Sequence, residues 1–85
     1  MPDTLPTFTI ADRMRKARQH AGLSVEVMAA ELGISRNTVT NYESGRSVPT
    51  DARLNLWSRV TGVPVDWLKG VTVRYSLDLR ELVPA

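Results

Sequence analysis
Val25-Glu26-Val27-Met28-Ala29-Ala30-Glu31-Leu32-Gly33-Ile34-Ser35-Arg36-Asn37-Thr38-Val39-Thr40-Asn41-Tyr42-Glu43-Ser44 is the stretch that decides how this chain folds. Ser24 caps its first segment, in which Met28, Ala29 and Leu32 share one helical face and Gly33 marks the end. Only Ile34 and Ser35 separate Gly33 from a second polar-capped segment, Arg36 to Ser44, in which Val39 and Tyr42 lie three apart. Gly45 stops it. The spacing predicts two short helices and a tight turn. Ala29 is small, as two helices crossing steeply require, and Gly33 can take a positive φ without a Cβ penalty. Leu32, Ile34, Val39 and Tyr42 supply the apolar positions that fix the pair to a core.

On the N-terminal side, Thr9 offers an N-cap hydroxyl with Asp12 three residues on, a shortened capping box. Ile10, Met14, Ala17 and Ala21 follow at helical spacing, with Gly22 as the stop. On the C-terminal side, Arg46-Ser47-Val48-Pro49 reads as a loop and Thr50 caps a fourth helix. Leu54, Trp57 and Thr61 line one side of it and Gly62 closes it. Pro64 suits the first turn of a short fifth helix through Trp67 and Leu68, ended by Gly70. Trp57 reads as core. Trp67 divides between a core lid and a subunit contact. Leu56 and Val60, on another face, pack under the C-terminal segment or form an interface.

The period then changes. Val71, Val73, Tyr75, Leu77 and Leu79 alternate with Thr72, Arg74, Ser76, Asp78 and Arg80. This period-2 pattern predicts a strand, and a lone strand cannot satisfy its own backbone. The favoured partner is the same strand of a second copy, antiparallel across a two-fold axis. The other reading is a hairpin or wrap on the strand's own subunit. The expected organisation is an N-terminal arm over 1–8, a helical domain over 9–70 with its central motif at about 25–44, and a C-terminal strand or tail over 71–85, the expected dimerisation element.

Composition narrows the function classes. The 85 residues fit one domain. A chain this short buries only about 60% of its unfolded surface, so its stability margin is small. There is no cysteine, which removes disulfide scaffolds and Cys-based zinc sites, and His20 alone cannot assemble a His cluster. We expect no metal, no cofactor, no catalytic residues and no small-molecule ligand: the chain binds and does not catalyse. No apolar run approaches the roughly 18 residues of a membrane span. Residues 1–6 carry no basic or apolar signal region. The net charge of +2 is a weak hint of an anionic partner. Arg13, Arg15, Lys16 and Arg18 concentrate four positive charges within six residues.

The paired helices and their turn meet the physical needs of a helix-turn-helix. The stretch Gly22-Leu23-Ser24-Val25-Glu26, Ala29, Leu32-Gly33-Ile34-Ser35-Arg36, Val39, Tyr42-Glu43-Ser44-Gly45-Arg46 and Pro49 resembles the Cro/C1-type (lambda-repressor-like) helix-turn-helix family. Leu56-Trp57 and Thr61-Gly62-Val63-Pro64-Val65-Asp66-Trp67-Leu68 resemble that family's fourth and fifth helices. The likeness covers roughly residues 9–70 and is nearest to phage immunity repressors and Cro proteins of actinobacterial hosts. It does not extend to the tail.

The resemblance implies a mainly α, five-helix DNA-binding domain, to which the tail would add a C-terminal β-strand. It implies a bacterial cytoplasmic regulator, a homodimer on a near-palindromic double-stranded operator, repressing transcription. Carried over by position, Arg36 and Asn37 open the recognition helix and face bases, with Asn41 one turn on and Thr38 and Thr40 as flanking contacts. The chemistry agrees, because Arg grips guanine O6 and N7 and Asn pairs with adenine N6 and N7. Outside such a motif the same residues would read as a solvated helix face. Phosphate contacts are expected from the helix N-termini at Ser24, Val25 and Thr50 and from Arg46 and Ser47. Val25 departs from the family, which commonly has Gln there: either its backbone amide alone serves or this anchor is weaker than usual. The resemblance also implies a structural Arg18–Glu43 salt bridge, against the alternative that both are solvated. Arg13, Arg15 and Lys16 then remain a solvated charge run or a DNA-backbone contact. Trp67, Val71, Val73, Tyr75, Leu77 and Leu79 are the expected dimer contacts. Two other roles stay open: an antitoxin or controller-type regulator, and a helix-turn-helix protein–protein adaptor. An adaptor would carry apolar residues where Arg36, Asn37, Thr40 and Asn41 stand.

Overall fold
Each helix among the described residues begins at a hydroxyl or a proline, and a glycine of positive φ stands within two residues after the end of each. The computed structural model describes residues 8–70. Within them lie α1 (Ile10–His20), α2 (Val25–Leu32), α3 (Arg36–Ser44), α4 (Asp51–Thr61) and α5 (Val65–Lys69). The fold among the described residues is helical. The expected strand over 71–79 lies outside them, as do the N-terminal residues 1–7.

The starts are set by side-chain caps. Thr9 Oγ1 accepts from the Asp12 amide and the Asp12 carboxylate accepts from the Thr9 amide, a complete capping box. Ser24, Ser35 and Thr50 each accept from the amide three residues on, so three more helices start with one orphan donor satisfied. The short fifth helix differs from the sequence reading. Pro64 stands at its N-cap rather than in its first turn and makes no side-chain cap bond. Between α2 and α3 the chain reverses at Gly33, whose φ of +71° is the left-handed conformation that the tight turn requires.

The core forms where the apolar faces of α1 to α5 converge. Met14, Ala17, Met28, Ala29, Leu32, Val39, Leu54, Trp57 and Leu68 are buried. α1 packs against α3, α4 and α5, and α2 against α3 and α4. Ile34, Tyr42, Leu56, Val60 and Trp67 pack half-buried around this centre. Ile10, which the helical spacing grouped with Met14 and Ala17, is instead left exposed at the start of α1. Trp57 is fully enclosed, and its indole Nε1 donates to the Met14 carbonyl at 3.0 Å. Tyr42 meets its ring edge-on, with centroids 6.2 Å apart. The buried Thr61 hydroxyl donates to the Trp57 carbonyl at 2.8 Å and accepts from the Val63 amide at 3.2 Å, so its burial leaves no unpaired group. Among the described residues no helix is long and apolar enough to cross a membrane.

Candidate nucleic-acid interface
The outer face of α3 is polar because its apolar residues are spent on the core. Val39 is buried and Tyr42 is packed against Trp57. The remaining positions turn outward. Arg36, Asn37 and Thr40 are exposed, and Thr38 and Asn41 are half-buried. Two of these side chains are partly committed. Thr38 Oγ1 lies 2.9 Å from Ser35 Oγ at the helix start, and Thr40 Oγ1 donates to the Asn37 carbonyl at 3.0 Å. Thr40 nonetheless stays exposed, and its hydroxyl can still accept. The side-chain amides of Asn37 and Asn41 have no hydrogen-bond partner among the described residues, so each presents a free donor and a free acceptor. Arg36 reaches back to α2, with Nη2 3.2 Å from Glu26 Oε2.

Glu43 stands on the same helix yet does not share this face. Its Oε2 accepts from Arg18 Nε at 2.7 Å and its Oε1 from Arg18 Nη2 at 3.0 Å. Arg18 Nη1 also donates to the Leu23 carbonyl at 2.8 Å. One guanidinium thus ties α1 to α3 and to the segment before α2, in the two-pronged geometry that suits a carboxylate. The arrangement removes a negative charge from the outer surface of α3.

The flanking elements offer anion-binding groups of different kinds. At α2 the Ser24 hydroxyl takes the Val27 amide, which leaves the first amides of the helix, Val25 and Glu26, at its open end. The Val25 side chain packs against the core, which accounts for an apolar residue at this position. At α4 the Thr50 hydroxyl takes the Arg53 amide in the same way. After α3 the situation differs. The Arg46 and Ser47 amides both donate to the Asn41 carbonyl, at 2.9 and 3.2 Å. What remains there for an anion is the Arg46 guanidinium and the Ser47 hydroxyl.

The basic run of α1 does not form one patch, which the linear sequence could not reveal. Arg13 turns to the fifth helix, where its Nη1 donates to the Trp67 carbonyl at 3.1 Å. Its guanidinium lies 4.9 Å from the Trp67 ring centroid and 5.8 Å from that of Phe8. Its Nε is buried with no partner among the described residues. Lys16 Nζ sits 4.6 Å from the Phe8 centroid, and Arg15 pairs with Asp12 at 3.5 Å. The amide of Thr9 bonded to the Asp12 carboxylate holds that carboxyl below its ordinary 3.8, with the Thr9 hydroxyl, Arg15 and Lys16 adding to the effect and desolvation opposing it. Trp67 is half-buried beneath Arg13, and the tail residues Val71, Val73, Tyr75, Leu77 and Leu79 lie outside the described residues.

Comparison with known proteins places this geometry. Residues 14–68 match the family model described as helix-turn-helix. A putative HTH-type transcriptional regulatory protein of Archaeoglobus fulgidus is 37% identical over 75 residues, covering 88% of this chain and 21% of the relative. An SPbeta prophage-derived uncharacterized HTH-type transcriptional regulator, YonR of Bacillus subtilis, is 37% identical over 68 residues, covering 79% of this chain and 63% of its own length. The chain therefore spans about a fifth of the first relative and less than two thirds of the second. Among solved structures, the P22 c2 repressor protein in complex with a synthetic operator superposes with a TM-score of 0.69 at 18% identity, covering 76% of this chain and 98% of that one. SinR in complex with DNA superposes with a TM-score of 0.65 at 24% identity, covering 71% and 97%. These two likenesses bear on the fold, which is lambda-repressor-like.

Proposed function
The chain belongs to the helix-turn-helix family, and from that premise we propose that it is a sequence-specific double-stranded-DNA-binding transcriptional regulator, acting as a dimeric phage-type repressor in the bacterial cytoplasm. The observation that carries this reading is the division of α3. Arg36, paired at one nitrogen with Glu26, and Asn37 and Asn41 keep hydrogen-bonding groups without a partner among the described residues, while Glu43, the one acid of that helix, is turned inward onto Arg18. Such a face offers a two-donor fork for guanine and an amide donor and acceptor for adenine in the major groove, where a recognition helix presents its N-terminal residues to base edges. Thr38 and Thr40 flank those contacts.

Phosphates would be held by the open amides at Ser24–Val25 and after Thr50, and by the Arg46 and Ser47 side chains. The relatives named as transcriptional regulators, one of them prophage-derived, and the two neighbours solved with operator or DNA support the same class. One recognition helix reads only a few base pairs. A two-fold dimer would place two of them about 34–36 Å apart on a near-palindromic operator. Trp67 and the alternating residues of the 71–79 segment are the proposed contacts between subunits. Occupying an operator that overlaps a promoter would then block the polymerase. Selection of bound sites from random duplex DNA tests the reading: it should return one enriched, near-palindromic sequence, and recovery of no sequence would contradict it.

A further inference from the structure
We infer that Glu26 is a positioning residue that sets specificity: paired with Arg36 across the joint between α2 and α3, it aims the guanidinium at a guanine edge and holds it off the phosphates. The inference deepens the DNA-binding reading and rests on it.

Glu26 lies in the first turn of α2 and Arg36 is the first residue of α3, so the pair spans the turn of the motif on its outer side. The contact is 3.2 Å, and both side chains are more than half exposed. An exposed pair of this kind contributes little to fold stability. Its value lies elsewhere. A guanidinium carries five donors in a planar fork. Glu26 engages one terminal nitrogen, which fixes the plane of the fork and leaves the other donors for the O6 and N7 of one guanine. An Arg so oriented loses less side-chain freedom on binding. Once the groove excludes water, the lower dielectric strengthens the pair.

The second consequence is electrostatic. Glu26 sits at the N-terminus of α2, beside the open amides where a phosphate is expected. A bare carboxylate there repels that phosphate. Neutralised by Arg36, it does not. The two residues thus act as one unit, and removing Arg36 alone strands an anion against the DNA.

A double-mutant cycle tests this with Glu26→Ala, Arg36→Ala and the pair of changes. Each protein is titrated with the selected duplex, and with duplexes altered one base pair at a time, over a range of salt. Glu26→Ala should lower the thermal midpoint by a few degrees at most, through the lost first-turn charge, and lose at least about fivefold of the discrimination at one position, the lower end of what one bidentate contact supplies. Its salt slope should steepen by about one phosphate contact as the freed Arg36 moves to the backbone. In the Arg36→Ala background, the same Glu26→Ala change should tighten binding. Glu26→Gln, which keeps an acceptor for the guanidinium and removes the charge, should retain part of the discrimination and, in the Arg36→Ala background, tighten binding as Glu26→Ala does. If the wild type is selective but its preference and salt slope are indifferent to Glu26, or if the double variant binds no better than Arg36→Ala, the inference is wrong while the DNA reading stands. A wild type with no sequence preference overturns both.

Discussion
Glu43 Oε2 lies 2.7 Å from Arg18 Nε, and this one contact decides what the outer face of the third helix presents. The two side chains are 7% and 12% exposed, so the pair is held away from water. Removing one partner of such a pair leaves the other as an uncompensated buried charge, at a cost of about 3–5 kcal/mol. Arg18→Met and Glu43→Leu should each destabilise by about that amount in chemical denaturation. The double change should cost less than either alone, because it strands no charge. Additive losses would mean that the pair is solvated in solution.

Gly33 isolates the backbone contribution to the turn. An added Cβ would meet nothing within 4 Å, yet φ is +71°. Gly33→Ala should therefore cost about 1–2 kcal/mol through conformation alone. Gly33→Asn should cost less, since Asn tolerates the left-handed region better. Equal losses for the two, read from denaturation midpoints, would point to a steric cause.

The capping box of the first helix gives a pH signature. The Asp12 carboxyl titrates below its ordinary 3.8 because it is charged where the Thr9 amide can donate to it. A depressed folded pKa means that its contribution is complete above the unfolded value and is lost as pH falls through the folded one. Thermal melts should lose this contribution only below about pH 4. Asp12→Asn should flatten that part of the profile. A loss between pH 5 and 7 that depends on Asp12 would contradict the assignment.

The proposed dimer has a simple test. A chain lacking residues 71–85 should sediment as a monomer and bind a full operator with far lower apparent affinity, since two half-sites are then filled independently. A truncated chain that still sediments as a dimer would refute the tail as the joining element.

The starts of the first four helices were legible in the sequence because they depend on local chemistry. Thr9, Ser24, Ser35 and Thr50 carry oxygens at the one position where a cap is needed. The apolar spacing around Val39, Leu54 and Trp57 likewise named the core. What could not be read were side-chain directions set by distant partners. Arg13, Arg15, Lys16 and Arg18 look alike along the chain. The family resemblance singled out Arg18 for Glu43, but the turn of Arg13 onto Trp67 needs the packed positions of α1 and α5, and only the structure shows Arg15 on Asp12 and Lys16 beside Phe8. The Arg36–Glu26 pair was not legible for the same reason, since the chain reverses direction between the two residues. Ile10 shows the converse: helical spacing alone does not say where a face runs out of neighbours.

The most direct test of the account compares wild type and Arg36→Ala by equilibrium selection against a randomised duplex library. The proposed base-reading role predicts that wild type enriches a defined half-site and that Arg36→Ala loses about 1–3 kcal/mol of discrimination at one base pair within it. Unchanged sequence preference in Arg36→Ala would contradict the claim that the N-terminal face of α3 reads DNA.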